Sequence, residues 1–178
     1  MLNLILIAVA VITVAFVIVV VTRPADFRVT RSIAVSAPAA VVFAQVNDLR
    51  QWKAWSPWEK MDPALKRTFE GPSAGTGASY SWAGNKKVGE GRMTIMESRP
   101  NGLIRIKLEF LKPFKATHTA EFAFKAVGNQ TAVTWSMFGK NNFVAKAFHL
   151  VVDFDKMIGV DFEKGLGQMK SVAETTGK

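Results

Sequence analysis

Between Ala64 and Lys140 the chain alternates apolar and polar residues with a period of two, in six stretches separated by Gly, Pro and Asn turn signals. Period two marks strands that bury one face. The predicted strands are residues 66–70, 78–82, 89–97, 103–111, 115–126 and 131–138. The turns between them carry Gly71-Pro72, Gly84-Asn85, Pro100-Asn101-Gly102, Lys112-Pro113 and Gly128-Asn129. Connections this short cannot make the crossover that parallel strands require, so the six read as an antiparallel meander. A seventh strand precedes them over residues 27–36, where Phe27, Val29, Arg31, Ile33 and Val35 share a face.

Helical spacing appears on either side of the meander. Ser36-Ala37-Pro38 is a helix-start signal, with Ser36 or Ala37 near the cap and Pro38 in the first turn of a short helix over residues 39–46. Asp48 heads a second short helix carrying Leu49, Trp52 and Trp55, which Pro57 stops. After the meander, Asn141 or Asn142 caps a helical stretch bearing Val144, Phe148 and Val151. Asp153, Asp155 and Gly159 suggest a break or kink. Ile158, Phe162, Leu166, Met169 and Val172 or Ala173 then line one side of a long helix.

These elements define an α+β chain: a seven-stranded curved antiparallel sheet wrapped on a long C-terminal helix, with two short helices after the first strand. Such a sheet needs one face covered, and only one long helix is at hand to cover it. The space between is hard to fill, and a ligand cavity is a natural by-product. Alternation names the residues facing it. Ile104, Ile106, Leu108 and Phe110 face inward, as do Ala116, His118, Ala120, Phe122 and Phe124, and Val133, Trp135 and Met137. Tyr80 and Trp82 join them, and Phe162 and Leu166 face them from the helix. The ligand-binding candidates are therefore Tyr80, Trp82, Ile104, Ile106, Leu108, Phe110, His118, Phe122, Trp135, Phe162 and Leu166. A filled core lined by the same residues would look identical in sequence.

Residues 1–22 carry no charged side chain, so all 23 Lys and Arg and all 14 Asp and Glu fall in residues 23–178. Leu2 to Val21 is one apolar run, interrupted only by Asn3 and Thr13. About 20 residues at about 1.5 Å each span the roughly 30 Å hydrocarbon core of a bilayer. The expected organisation is a transmembrane helix over 1–22, a juxtamembrane linker over 23–26 and one globular domain over 27–176. A cleaved signal peptide is the competing reading. No Lys or Arg precedes the run, and Val19-Val20-Val21-Thr22-Arg23-Pro24 lacks a small-x-small cleavage site. Arg23, Arg28 and Arg31 follow the helix, which by the positive-inside rule favours a single-pass cell-membrane protein with its domain in the cytoplasm. Placement on the outer side, common in bacteria, is the alternative.

The chain has no cysteine, which excludes disulfides, thiol catalysis and Cys-held zinc or iron–sulfur sites. His118 and His149 have no ligand-like spacing, so no metal and no cofactor are expected. The net charge of +9 is scattered, without an arginine-rich helix or an RNA-binding aromatic signature. Its natural partner is an anionic membrane surface rather than nucleic acid. Nothing in the sequence bears on oligomeric state.

Three segments carry a family resemblance: RSIAVSAPAAVVFAQVNDLRQWKAWSPW at 31–58, GASYSWAGNKKVGEGRMTI at 77–95, and DKMIGVDFEKGL at 155–166. With the order of elements, they make the chain resemble the helix-grip fold of the START-like (SRPBCC) superfamily, and within it the polyketide cyclase/dehydrase and lipid-transport family. The resemblance covers about residues 27–176. It implies a deep cavity between sheet and C-terminal helix for lipids, polyketides, steroids or other apolar molecules. It does not imply one activity, because the superfamily mixes carriers, cyclases and binding domains. The favoured reading is a membrane-anchored binder or carrier of an apolar small molecule or lipid, and not an enzyme. The alternatives are a cyclase- or dehydratase-like enzyme and a protein-interaction or envelope-structural module.

Chemistry, if present, would centre on His118, inward by alternation, acting as acid or base with Glu90, Arg92 or Tyr80. Glu90 and Arg92, two apart on one face, would otherwise sit on a solvated edge. Glu109 and Glu121 fall on the outward face, which leaves a carboxylate pair poorly supported. Trp52, Trp55 and Trp58 form a core corner, a gate over the cavity or an interfacial anchor. The glycines at 71, 75 and 77 lack the Lys-Ser/Thr ending of a phosphate loop and precede a strand, so they read as a turn. Gly159, Gly165 and Gly167 are costly inside a helix, and either bring it close to the sheet or leave room for a ligand.

Overall fold

The structure is a computed structural model and describes residues 1–176. It contains the helix α1 (Leu2–Thr22), then β1 (Asp26–Val35), α2 (Ala39–Asn47), α3 (Trp52–Trp55) and a 3-10 turn (Pro57–Lys60). The meander follows as β2 (Lys66–Glu70), β3 (Ser79–Ala83), β4 (Glu90–Arg99), β5 (Leu103–Lys112), β6 (Ala116–Val127) and β7 (Gln130–Lys140). Two helices close the chain, α4 (Phe143–Phe148) and α5 (Phe154–Thr176). The seven strands form one antiparallel sheet in the order β1-β7-β6-β5-β4-β3-β2. Short turns join neighbours throughout, and β1 closes against β7 from Asp26↔Lys140 to Val35↔Thr131. A register shift between Ile95 and Glu97 adds curl to the sheet.

Parity along the strands puts Val29 and Val35, Met93 and Ile95, Ile104 and Ile106, Phe122 and Phe124, and Val133, Trp135 and Met137 on the concave face, all buried. The helix α5 lies against that face through Gly159, Phe162, Gly165, Leu166, Met169 and Ala173, which are spaced to share one side. Arg31, also on the concave face, fastens its start. Its Nη2 meets Asp155 Oδ2 at 2.9 Å and its Nε meets Glu163 Oε1 at 2.7 Å.

Several local expectations are corrected. The break near Gly159 lies earlier: residues 149–153 separate α4 from α5, and Asp153 caps the new helix by accepting from Lys156 N at 3.0 Å. Gly159 is a helical residue whose missing side chain makes room for the Arg31 guanidinium, which a Cβ there would overlap. Pro38 itself occupies the cap position of α2, while Ser36 N donates to Glu174 on α5 at 2.6 Å. Asp48 heads a turn before α3, whose cap position falls on Gln51. Asn142 does cap α4, its Oδ1 accepting from Ala145 N at 2.9 Å.

The space under the sheet is filled unevenly. At one end α2 contributes Val42, Phe43 and Val46. Trp52 and Trp55 pack beneath them, their indole N–H groups donating to Val46 O at 3.1 Å and Gln45 O at 2.9 Å. At the other end, where β1 begins and β7 finishes, only the first turns of α5 and the α3–3-10 segment cover the sheet. The helix α1 joins the domain at this same end. It is long and apolar enough to cross a membrane, as a signal sequence would also be, and its one buried residue is Val20. The helix α4 packs beside its last turn, where Lys146 Nζ donates to Val21 O at 3.3 Å.

Candidate functional site

A cavity of about 210 Å³ occupies the thinly covered half of the sheet. Its wall is built by parity: Tyr80 and Trp82 from β3, Met93 from β4, Leu108 and Phe110 from β5, Ala120 from β6, and Trp135 and Met137 from β7. Ile158 and Phe162 of α5 form the opposite side. Trp52, Ser56, Trp58 and Glu59 come from the α3–3-10 segment, and Leu65, Lys87 and Val88 from neighbouring loops. Lys87 is the solvent-exposed member of this set and marks the mouth. Trp82 can lie across the sheet because β4 carries Gly91 beneath it, where a Cβ would overlap the Trp82 ring and the Glu109 carbonyl.

Of the sequence-named candidates, Tyr80, Trp82, Leu108, Phe110, Trp135 and Phe162 line this space. Ile104, Ile106, Phe122 and Leu166 share the same faces but lie at the α2 end, fully buried in packed core and away from the cavity. Alternation assigns a face and says nothing of position along it. What closes this end is α2 together with Trp52 and Trp55 of α3, whose rings meet Phe122 edge-on.

His118 also points to the concave side but stands outside the cavity lining. Its ring meets Phe27 edge-on at 4.8 Å and Phe110 at 6.0 Å, and Gly139 gives it room. Burial holds its pKa below the ordinary histidine value, and its Nδ1 is buried without a hydrogen-bond partner. The groups considered as its catalytic partners lie elsewhere. Glu90 and Arg92 are on the convex face, Glu90 bound to Lys112 at 2.8 Å and Arg92 to Glu70 at 2.8 Å. Glu109 and Glu121, also outward, pair with Lys107 at 2.6 Å and Arg105 at 2.8 Å rather than with each other.

The polar feature of the cavity is one that periodicity missed. Tyr80 donates its hydroxyl to Glu59 Oε1 at 2.5 Å, and Arg67 Nε donates to Glu59 Oε2 at 2.7 Å. The Glu59 side chain is only 7% exposed. Burial, followed by the bond to Glu59, pushes the Tyr80 phenol well above its ordinary range, so it is a neutral donor at physiological pH. Glu59 lies in a 3-10 turn with no alternation to flag it. Arg67 shares the parity of the half-buried Phe69, so a charge on an inward face was the available signal.

The three tryptophans divide their roles. Trp52 and Trp55 anchor α2, whereas Trp58 leans edge-on against Trp135 at 5.7 Å at the cavity wall. Trp135 stacks on Phe162 at 4.0 Å, nearly parallel, and on Phe122 at 4.8 Å. Its indole N–H is buried and unpartnered. Gly165 lets α5 come down onto this ring, whereas Gly167 faces open space. The glycines at 71, 75 and 77 all take positive φ in the β2–β3 turn. Among the described residues no group of three or more His, Cys, Asp or Glu converges on a metal-sized site. A wider depression between residues 27–29 and 149–155 is an open surface trough.

A family model described as polyketide cyclase / dehydrase and lipid transport matches residues 26–174. No curated protein matches the sequence. Among solved structures, protein CV1439 from Chromobacterium violaceum superposes with a TM-score of 0.59 at 13% identity, covering 85% of this chain and 99% of that one. Aha1 from Colwellia psychrerythraea, solved as a dimer, gives 0.59 at 14% identity over 83% of this chain and 96% of its own. The di-domain ARO/CYC BexL from the BE-7585A biosynthetic pathway gives 0.61 at 20% identity over 89% of this chain and 53% of its own. At such identities the common property is the fold.

Proposed function

Because the chain belongs to the polyketide cyclase / dehydrase and lipid transport family, we propose that it is a membrane-tethered binder or carrier whose cavity holds an apolar small molecule or part of a lipid chain. The observation that carries this reading is the cavity itself, walled mostly by aromatic and aliphatic side chains, with the hydrogen-bonded Tyr80–Glu59 pair among its few polar groups. At about 210 Å³ it is smaller than the roughly 300–1,000 Å³ of drug-sized pockets. That size suits a slim group such as an acyl-chain segment or one or two rings. Tyr80 and Glu59 would orient a polar end, and the Trp135 N–H would donate a bond to any carbonyl or hydroxyl brought near it. In this reading α1 spans the bilayer, and the arginines that follow it favour a domain on the cytoplasmic side over one on the outer side. An enzymatic role has less support, because His118 meets no acid or base among the described residues and stands outside the cavity lining.

Native mass spectrometry of the full chain, released from detergent micelles, tests this reading. The expected result is an adduct of constant mass that organic extraction removes and that Ala120→Leu, which fills the cavity, abolishes. A bare mass with no shift on adding fatty acids, phospholipids or aromatic polyketides would overturn it and favour an interaction module.

A further inference from the structure

The sheet has two ends, and their chemistry differs. The turns at the end far from α1, residues 36–38, 71–78, 99–102 and 127–130, hold one charged side chain, Arg99, and it is paired with Glu97 at 2.7 Å. The turns at the α1 end, residues 84–89, 113–115 and 141–142, together with the α1 exit, bring Lys86, Lys87, Lys115, Lys140 and Arg23 to the surface. Between them stand exposed apolar side chains that the fold leaves uncovered: Phe114 at 74% exposure, Val144 at 63%, Val151 at 83%, and Phe143 and Phe148 at nearly half.

The level of these groups relative to α1 is fixed. The helix α4 packs against the last turn of α1, with Lys146 bonded to Val21 O and Val20 wholly buried. It therefore sits beside the residues at which a spanning helix leaves the hydrocarbon. The β5–β6 turn bearing Phe114 lies two to three strands along the sheet from β1, on the order of 10–15 Å away at the same end. Apolar side chains interleaved with lysines, at the depth of the headgroups, are what an anionic lipid surface recognises. The cavity mouth at Lys87 and Val88 belongs to this end as well.

We propose that this end of the domain docks onto the anionic phospholipid surface of the bilayer that holds α1. Phe114 and α4 insert among the headgroups, and the cavity mouth is turned to the membrane. The ligand then passes between bilayer and cavity without crossing bulk water. This rests on the reading of α1 as a membrane span.

The chain has no cysteine, so single nitroxide labels can be placed without background. Four variants of the full chain are made, Phe114→Cys, Val144→Cys, Asn129→Cys at the far end and Val11→Cys within α1. Each is reconstituted in phosphatidylcholine vesicles with and without phosphatidylglycerol, and its unfolding midpoint is checked against the parent. Power-saturation EPR compares relaxation by oxygen, which enters the bilayer, with relaxation by a water-soluble nickel chelate. The expected result is a membrane signature at 11, and at 114 and 144 an oxygen-to-nickel ratio several-fold above that at 129. Phosphatidylglycerol deepens the labels at 114 and 144, and Lys115→Glu with Lys140→Glu reverses that gain. A membrane signature at 11 with water-like values at 114 and 144 overturns the docking while leaving the span intact. Water-like values at 11 overturn the span, and the docking with it. Equal depth in both vesicle types, unmoved by the charge reversal, overturns the assignment to an anionic surface.

Discussion

Replacing Ala120 by leucine turns the existence of the cavity into a question of sign. Ala120 is 4% exposed, faces inward from β6 and lines the unfilled space. The larger side chain adds three carbons. At about 0.8 kcal/mol for each buried CH₂, they are worth about 2.4 kcal/mol if they drop into a void without displacing neighbours. Fixing a leucine rotamer costs about 0.5–1 kcal/mol, leaving a net gain of about 1.5 kcal/mol. For a domain of this size that is a rise of roughly 3–6 °C in Tm. If the space were already occupied by packed atoms, the same substitution would overpack the core and destabilise it by about 1–3 kcal/mol. Thermal unfolding of the full chain in micelles, followed by tryptophan fluorescence, reads the sign directly. A fall in Tm of several degrees in delipidated protein would refute the cavity and the reasoning built on it.

Tyr80→Phe removes a hydrogen bond to a buried carboxylate and is expected to cost about 1.5–3 kcal/mol by urea unfolding. Tyr80 is the only tyrosine, so the rise in absorbance at 295 nm on phenol ionisation, above the constant tryptophan background, reports it alone. Its pKa is raised, so stability from this group is present below about pH 10 and is lost as pH rises beyond the unfolded value, and tyrosinate should appear only with unfolding. A spectroscopic titration near pH 10 in folded protein would contradict the Glu59 bond. Burial lowers the pKa of His118 and His149, so below about pH 6.5 the unfolded chain binds more protons than the folded one. Stability should therefore decline from pH 7 to pH 5, more shallowly in His118→Phe, and urea midpoints across that range would show it. Gly91→Ala puts a Cβ into the Trp82 ring and the Glu109 carbonyl, and a loss of at least about 1–3 kcal/mol is expected by the same unfolding assay. A neutral outcome would mean that Trp82 does not lie across β4.

Most of the fold was legible because its signals are local. Alternation depends on the pleat alone, so β2 was read to its observed bounds, and the inward parity of Ile104, Phe122 and Trp135 was available without coordinates. Apolar length alone made α1 a candidate span, and the Asn142 cap and the glycine turns were equally short-range. Tertiary packing decided which half of that inward face stays open. Ile106 and Leu108 are two residues apart with the same parity, yet one is sealed in core and the other borders the cavity. The difference is that α2, held by the Trp52 and Trp55 indoles, covers one end of the sheet and not the other. The Glu59–Tyr80–Arg67 cluster likewise joins a 3-10 turn to two strands, a meeting of segments that no periodicity encodes. Sequence thus determined which side chains face inward, since that follows from backbone geometry within each strand. Where they leave space depends on the docking of separate elements, which only the folded chain decides.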